Sequence, residues 1–142
     1  MKHRDPTYQL LKAYQNLLSG HIIDEGVEIY VGTRVPRGQT KYVYLYVQAV
    51  TPNNTGDKVI YNIDIAFQAV CIQAVSEGDE TSVNNIIDQI LQIASEGEDS
   101  IIMNGFKCVM SFLLGIDPQT ELVDSAYNII KTLTMSHFIE QT

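Results

Sequence analysis

From Tyr61 the chain alternates. Tyr61, Ile63, Ile65, Phe67, Ala69 and Cys71 fall on one face, and Asn62, Asp64 and Gln68 on the other. A period of two marks a strand with one buried face. The polar face turns apolar at Val70 and Ile72, so the far end of this strand is expected to be covered on both sides. An acidic turn, Ser76-Glu77-Gly78-Asp79-Glu80, interrupts the alternation. The period then becomes helical: Val83, Ile86, Ile87, Ile90, Leu91 and Ala94 lie on one stripe. Asp79, Thr81 or Ser82 can cap the helix start, and Gly97 suits its end as a residue free to take positive φ. A strand running into a helix with a wholly aliphatic stripe implies that the helix lies back on a sheet.

The other elements follow from the same reasoning. Asp5 and Pro6 mark a first helix as N-cap and first helical residue, with Leu10, Leu11, Tyr14, Leu17 and Leu18 as its stripe and Ser19-Gly20 as its stop. Residues 27–31 (VEIYV) form a short strand. Residues 32–40 form a loop, the one locally basic loop in the chain, holding Arg34 and Arg37. Lys41 to Val50 is a strand with Val43, Leu45 and Val47 facing the core and Tyr42, Tyr44 and Tyr46 on the opposite side. The tyrosine row suits either packing under a helix or an interface, because tyrosine tolerates half-wet burial. Residues 51–57 are a turn, making this strand and the next an antiparallel hairpin. Phe106, Cys108, Met110, Phe112 and Leu114 alternate with their neighbours in a further strand, with Asn104-Gly105 a bend near its start. Residues 115–126 read as a loop. Tyr127 to Gln141 is the last strand, paired with the 106–114 segment; Tyr127, Ile129, Lys131, Leu133, Met135, His137 and Ile139 share a face.

The order is α-β-β-β-α-β-β. It predicts an α+β fold: an antiparallel or mixed sheet of about five strands with two helices on one face, in a single domain spanning 1–142. The sheet's other face and edges are then polar, or covered by other copies.

Charge sharpens this picture. The chain carries 9 Lys and Arg against 17 Asp and Glu, a net of −8. Between Lys58 and Lys107 there is no base at all, whereas seven of the nine bases lie in positions 1 to 58. An acidic surface argues against tight nucleic-acid binding, which needs clustered Lys and Arg to displace counterions. No apolar run is long enough to span a membrane as a helix, and the N-terminal MKHRDPTYQLL does not read as a signal peptide.

Candidate chemistry is sparse. No nucleophile elbow, HExxH, P-loop or dinucleotide fingerprint occurs. Cys71 and Cys108 sit inside apolar strand patterns and read as buried thiols. His3, His21 and His137 are scattered, and His137 reads as a satisfied structural histidine. Asp64 is the one carboxylate inside the central strand, facing away from its apolar stripe; no partner for acid–base work is nominated. The reading is therefore of a protein that is no enzyme and uses no cofactor or metal. The candidate functional residues are interface residues: Arg34, Arg37, Tyr42, Tyr44, Tyr46 and Asp64.

Four features together resemble the tail terminator, or tail-completion, proteins of tailed bacteriophages. They are an N-terminal helix before a VEIYVG strand, the hairpin YVYLYVQAV…VIYNIDIAFQAVCIQAV, the aliphatic helix TSVNNIIDQILQIA, and a terminal strand ending IIKTLTMSHFIEQ. The resemblance covers roughly residues 7 to 140. It implies a virion structural protein of the tail or neck, assembled in the host cytoplasm. Such proteins form homo-oligomeric rings, usually hexamers, that cap the tail tube protein and join it to head–tail connector or neck proteins. An acidic lumen would let DNA pass without specific binding. The alternative is a small dimeric α+β domain with a regulatory role, binding a ligand or protein through its tyrosine face.

Overall fold

The computed structural model describes residues 2–19, 27–31, 35–53, 56–74, 81–97, 100–123 and 126–142. Its elements are α1 (Thr7–Leu18), β1 (Glu28–Val31), β2 (Lys41–Pro52), β3 (Ile60–Ala74), α2 (Thr81–Ala94), β4 (Ile102–Met103), β5 (Phe106–Val123) and β6 (Ala126–Gln141). They build an α+β fold with one mixed sheet in the order β1-β2-β3-β6-β5-β4. The sheet thus has six strands where the sequence suggests about five. The extra one is β4, whose two residues are too few to show any period. It pairs Met103 with Phe106 across Asn104 and Gly105. Gly105 has φ of 83°, the left-handed conformation that a tight hairpin turn requires.

The expected β2–β3 hairpin is present, pairing Val43 with Ala69 and Leu45 with Phe67. β6 lies against β3 for its whole length, with Ile63 opposite His137 and Ile65 opposite Met135. β1 alone runs parallel to its neighbour, β2. Residues facing each other across a ladder share a side of the sheet. Val43, Leu45, Ile63, Ile65, Phe67, Leu133 and Ile139 therefore form one apolar face, and all are fully buried.

Both helices cover that face. α2 buries Val83, Ile86, Ile87, Ile90 and Ala94, its expected stripe apart from the half-buried Leu91. α1 buries Leu10, Leu11, Tyr14 and Leu18. Its first helical residue is Thr7, one later than the position of Pro6 suggests. Asp5 still serves this end, because its Oδ1 accepts a hydrogen bond from the Thr7 N–H at 2.9 Å. α1 crosses the sheet from β4, where Gln9 accepts from the Asn104 N–H, to β1, where Gln15 Nε2 donates to the Ile29 carbonyl. The Glu77–Glu80 turn, the Asp79 cap and His21 lie outside the described residues.

The central tie between α1 and the sheet is polar. Tyr14 Oη and His137 Nε2 are 2.5 Å apart, and His137 Nδ1 is 3.0 Å from the Ile63 carbonyl. The carbonyl can only accept, so Nδ1 carries the proton and Nε2 accepts from the tyrosine hydroxyl. Burial lowers the His137 pKa from 6.5 to about 4, against smaller opposing effects of the Ile63 carbonyl and Asp64. His137 is thus a neutral core residue, as its place in the β6 alternation suggests. Cys71 and Cys108 are buried free thiols.

Candidate assembly surface

One expected element is wrong in a way that bears on function. The described part of 115–126 is strand and not loop: β5 continues to Val123, and β6 begins at Ala126. Gly115, Asp117 and Pro118 look like strand breakers, but an edge strand tolerates all three. Gly115 follows a bulge, where the pairing steps from Leu113–Met135 to Gly115–Thr134. Leu114 is the extra residue there, and a bulge is the usual way to bend and re-aim an edge strand.

The result is a long edge strand, the β5 arm, laid along β6. At about 3.4 Å per residue, the 18 residues of β5 extend roughly 60 Å. The 14 residues of α2 reach only about 21 Å at 1.5 Å per residue. Two short helices seated on the inner strands, α2 on β3 and β6, cannot cover a strand of that length. Phe106 and Cys108 are buried, but every residue from Phe112 to Leu122 is exposed. Many of these are apolar. On the side away from the helices stand Met110 and Phe112, the latter edge-on to Phe138 at 6.1 Å. On the helix side stand Leu113, Ile116 and Leu122, and Leu114 projects from the bulge. Monomeric proteins seldom expose a contiguous apolar strip of this kind without a partner.

Among the described residues, no strand covers most of the outer edge. β5 is paired along its length with β6, but on its other side β4 meets only Phe106 and Lys107. From Cys108 onward, no described strand takes the outer backbone groups of β5. Such an edge is a template for another strand.

The candidate residues from the sequence divide between places. Tyr42, Tyr44 and Tyr46 are half-buried on the helix-free side of β2. Tyr44 and Tyr46 have ring centroids 5.8 Å apart, and Tyr42 lies 6.1 Å from Tyr30 of β1. The tyrosines are therefore not packed under a helix. Tyr30 belongs to the same row; its alternation within VEIYV, set beside the tyrosines of the next strand, is the signal that points to it. Asp64 shares this side of the sheet. Its Oδ1 is buried without a hydrogen-bond partner, while the neighbouring Ser136 hydroxyl donates to Asn62. Arg37 is exposed in the turn before β2, with Gly38 at φ of 88°. Arg34 lies outside the described residues.

A shallow groove of about 280 Å³ is framed by Gln48 and Leu114, with Gly115, Ile116, Asp117, Thr132 and Thr134 along it. Gln48 and Leu114 are the residues at two bulges, one in β2 and one in β5. Among the described residues no cluster of His, Cys, Asp and Glu is arranged to hold a metal ion, and no helix is long and apolar enough to cross a membrane.

No protein-family model and no curated protein sequence matches the chain. Solved structures do: 26 chains match, among them one described as "Virion of native gene transfer agent (GTA) particle". It superposes with a TM-score of 0.63 at 12% identity, over 94% of this chain and 90% of that one. The chain therefore shares the fold of a protein found in that virion particle, over nearly the full length of both.

Proposed function

We propose that this chain is a structural protein of a phage-like virion, and specifically a ring-forming tail terminator. In this role it caps the tail tube and offers its other side to head–tail connector or neck proteins. The observation that carries the reading is the β5 arm: a long strand, apolar on both faces and open along one edge, on a fold shared with a virion-particle chain. Such a strand has a mechanical use, since its exposed apolar area is removed from water only by assembly.

The charge supports the rest of the proposal. Each copy contributes −8, so a closed ring of six presents a strongly acidic body to the genome. Acidic walls repel phosphate, and DNA then slides through without specific contacts. Partners are other copies, the tail tube protein and the neck proteins, and the site of action is the tail or neck of the virion.

The test is assembly with tube protein from the same virus. Added to polymerising tubes, the chain should arrest elongation, and negative-stain images should show one ring at a tube end. Tubes of unaltered length with no end-bound density would refute the terminator role.

A further inference from the structure

We infer that the β5 arm of one copy docks on the β1–β2 edge of a second copy, so that the contact is head-to-tail and extends the sheet from molecule to molecule. This deepens the ring reading, on which it rests, by naming the two surfaces that meet.

Three observations select a second copy. The described sheet has two edges with no further described strand beside them, β5 beyond Lys107 at one end and β1 at the other, where the Ile29 carbonyl already accepts from Gln15. β1 and β2 are parallel, and each later join, β2–β3, β3–β6 and β6–β5, is antiparallel. Strand direction thus alternates from β2 to β5, which leaves β5 antiparallel to β1. A neighbour's β1 laid beside β5 in the same orientation therefore forms an antiparallel pair, the more stable ladder.

The side chains complement each other. The arm offers aliphatic and aromatic groups such as Met110, Phe112 and Leu114. The opposite edge offers Tyr30, Tyr42 and Tyr44, half-buried and facing one side. Tyrosine, phenylalanine and methionine are the residue types enriched at interfaces. The exposed apolar area of the arm is on the order of 500 Å², a large share of the roughly 800 Å² per partner of a stable interface.

Charge bears on the choice between the two possible self-contacts. From Cys108 to Val123 the arm holds Asp117 and Glu121 and no Lys or Arg. The segment entering β2 carries Arg37 and Lys41. Arm against arm would set acid against acid, whereas the β1–β2 edge balances Glu28 with Arg37, Lys41 being turned to the other face where it donates to Ser82. The second arrangement is heterologous, the type that closes into a ring when its rotation permits.

Two full-length variants and their mixture test this by light scattering. The arm variant is Leu114→Asp with Leu122→Asp, both at exposed positions. The edge variant is Tyr30→Asp with Arg37→Glu; Arg37→Glu alone replaces it if the double change melts early. Wild type should self-associate, and each variant alone should do so at least tenfold more weakly. An equimolar mixture should give a two-copy complex, because each variant keeps one intact side. An edge variant that assembles like wild type would overturn the inference in favour of arm-to-arm pairing, while leaving the ring reading standing. A mixture that stays monomeric, or a wild type that is monomeric at every concentration, with and without tube protein, would also overturn it. Two-copy mixed complexes alongside wild-type chains that never close would uphold the contact and remove the terminator role instead.

Discussion

Tyr14→Phe should destabilise the protein by removing a single oxygen. The ring would keep its place, because it packs edge-on to Phe67 with centroids 4.9 Å apart. What disappears is the hydroxyl that donates to His137 Nε2. That nitrogen is inside the core: His137 has 0% of its surface exposed. A buried acceptor left without a donor costs about 1–3 kcal/mol. For a chain of this size each kcal/mol is worth about 3–4 °C in Tm, so a fall of roughly 4–10 °C is expected. The same geometry fixes a pH dependence. Folding holds the imidazole neutral, with its pKa lowered from 6.5 to about 4. The unfolded chain then binds the extra proton between those values. The stabilisation is fully present above pH 6.5 and is lost as pH falls toward 4, amounting to about 2 kcal/mol between pH 7.5 and 5.0. Urea melts at the two pH values measure it in wild type and in His137→Leu, which has no group to protonate. Wild type should weaken on acidification by about 2 kcal/mol more than His137→Leu does. Equal losses in the two proteins, or a Tyr14→Phe cost below about 0.5 kcal/mol, would refute the assigned tautomer and the buried bond.

Three further outcomes test the fold. Ile87→Asp sets an unpaired charge in the buried stripe of α2, where Ile87 is 3% exposed, and should abolish cooperative melting; a soluble variant that melts normally would contradict the helix packing. Gly105→Ala forces a side chain into a left-handed turn and against the Arg4 guanidinium, which lies 4.9 Å from the centre of the Phe106 ring; a loss of about 1–2 kcal/mol in chemical denaturation is expected, and no loss would contradict the turn geometry. Cys71 and Cys108 should resist a thiol reagent in the native protein and both react in guanidinium, whereas rapid native labelling would contradict their burial.

Most of the fold is legible in the chain because one-sided burial leaves a periodic trace. The alternation from Tyr61 to Cys71, the α2 stripe and the β6 face with His137 each reflect a strand or helix covered on one side by a single layer. The β5 arm escapes the same logic because neither face is covered. With no buried side, its composition is free to mix Leu113, Leu114, Gly115 and Pro118, and the period dissolves at the bulge. A weaker trace survives in Thr120-Glu121-Leu122-Val123, a strand-like run of residue types. The interface candidates suffer from the same limit. The tyrosine row announces itself through β2, but its extension to Tyr30 depends on a strand pairing that no local pattern encodes.

The central claim is that the chain closes on itself into a ring, and native mass spectrometry of the purified protein tests it most directly. One discrete oligomer is expected, a fixed multiple of the 15.9 kDa chain, which stops growing as concentration rises and appears either alone or once tube protein is added. A monomer or two-fold dimer at every concentration, with and without tube protein, would contradict it.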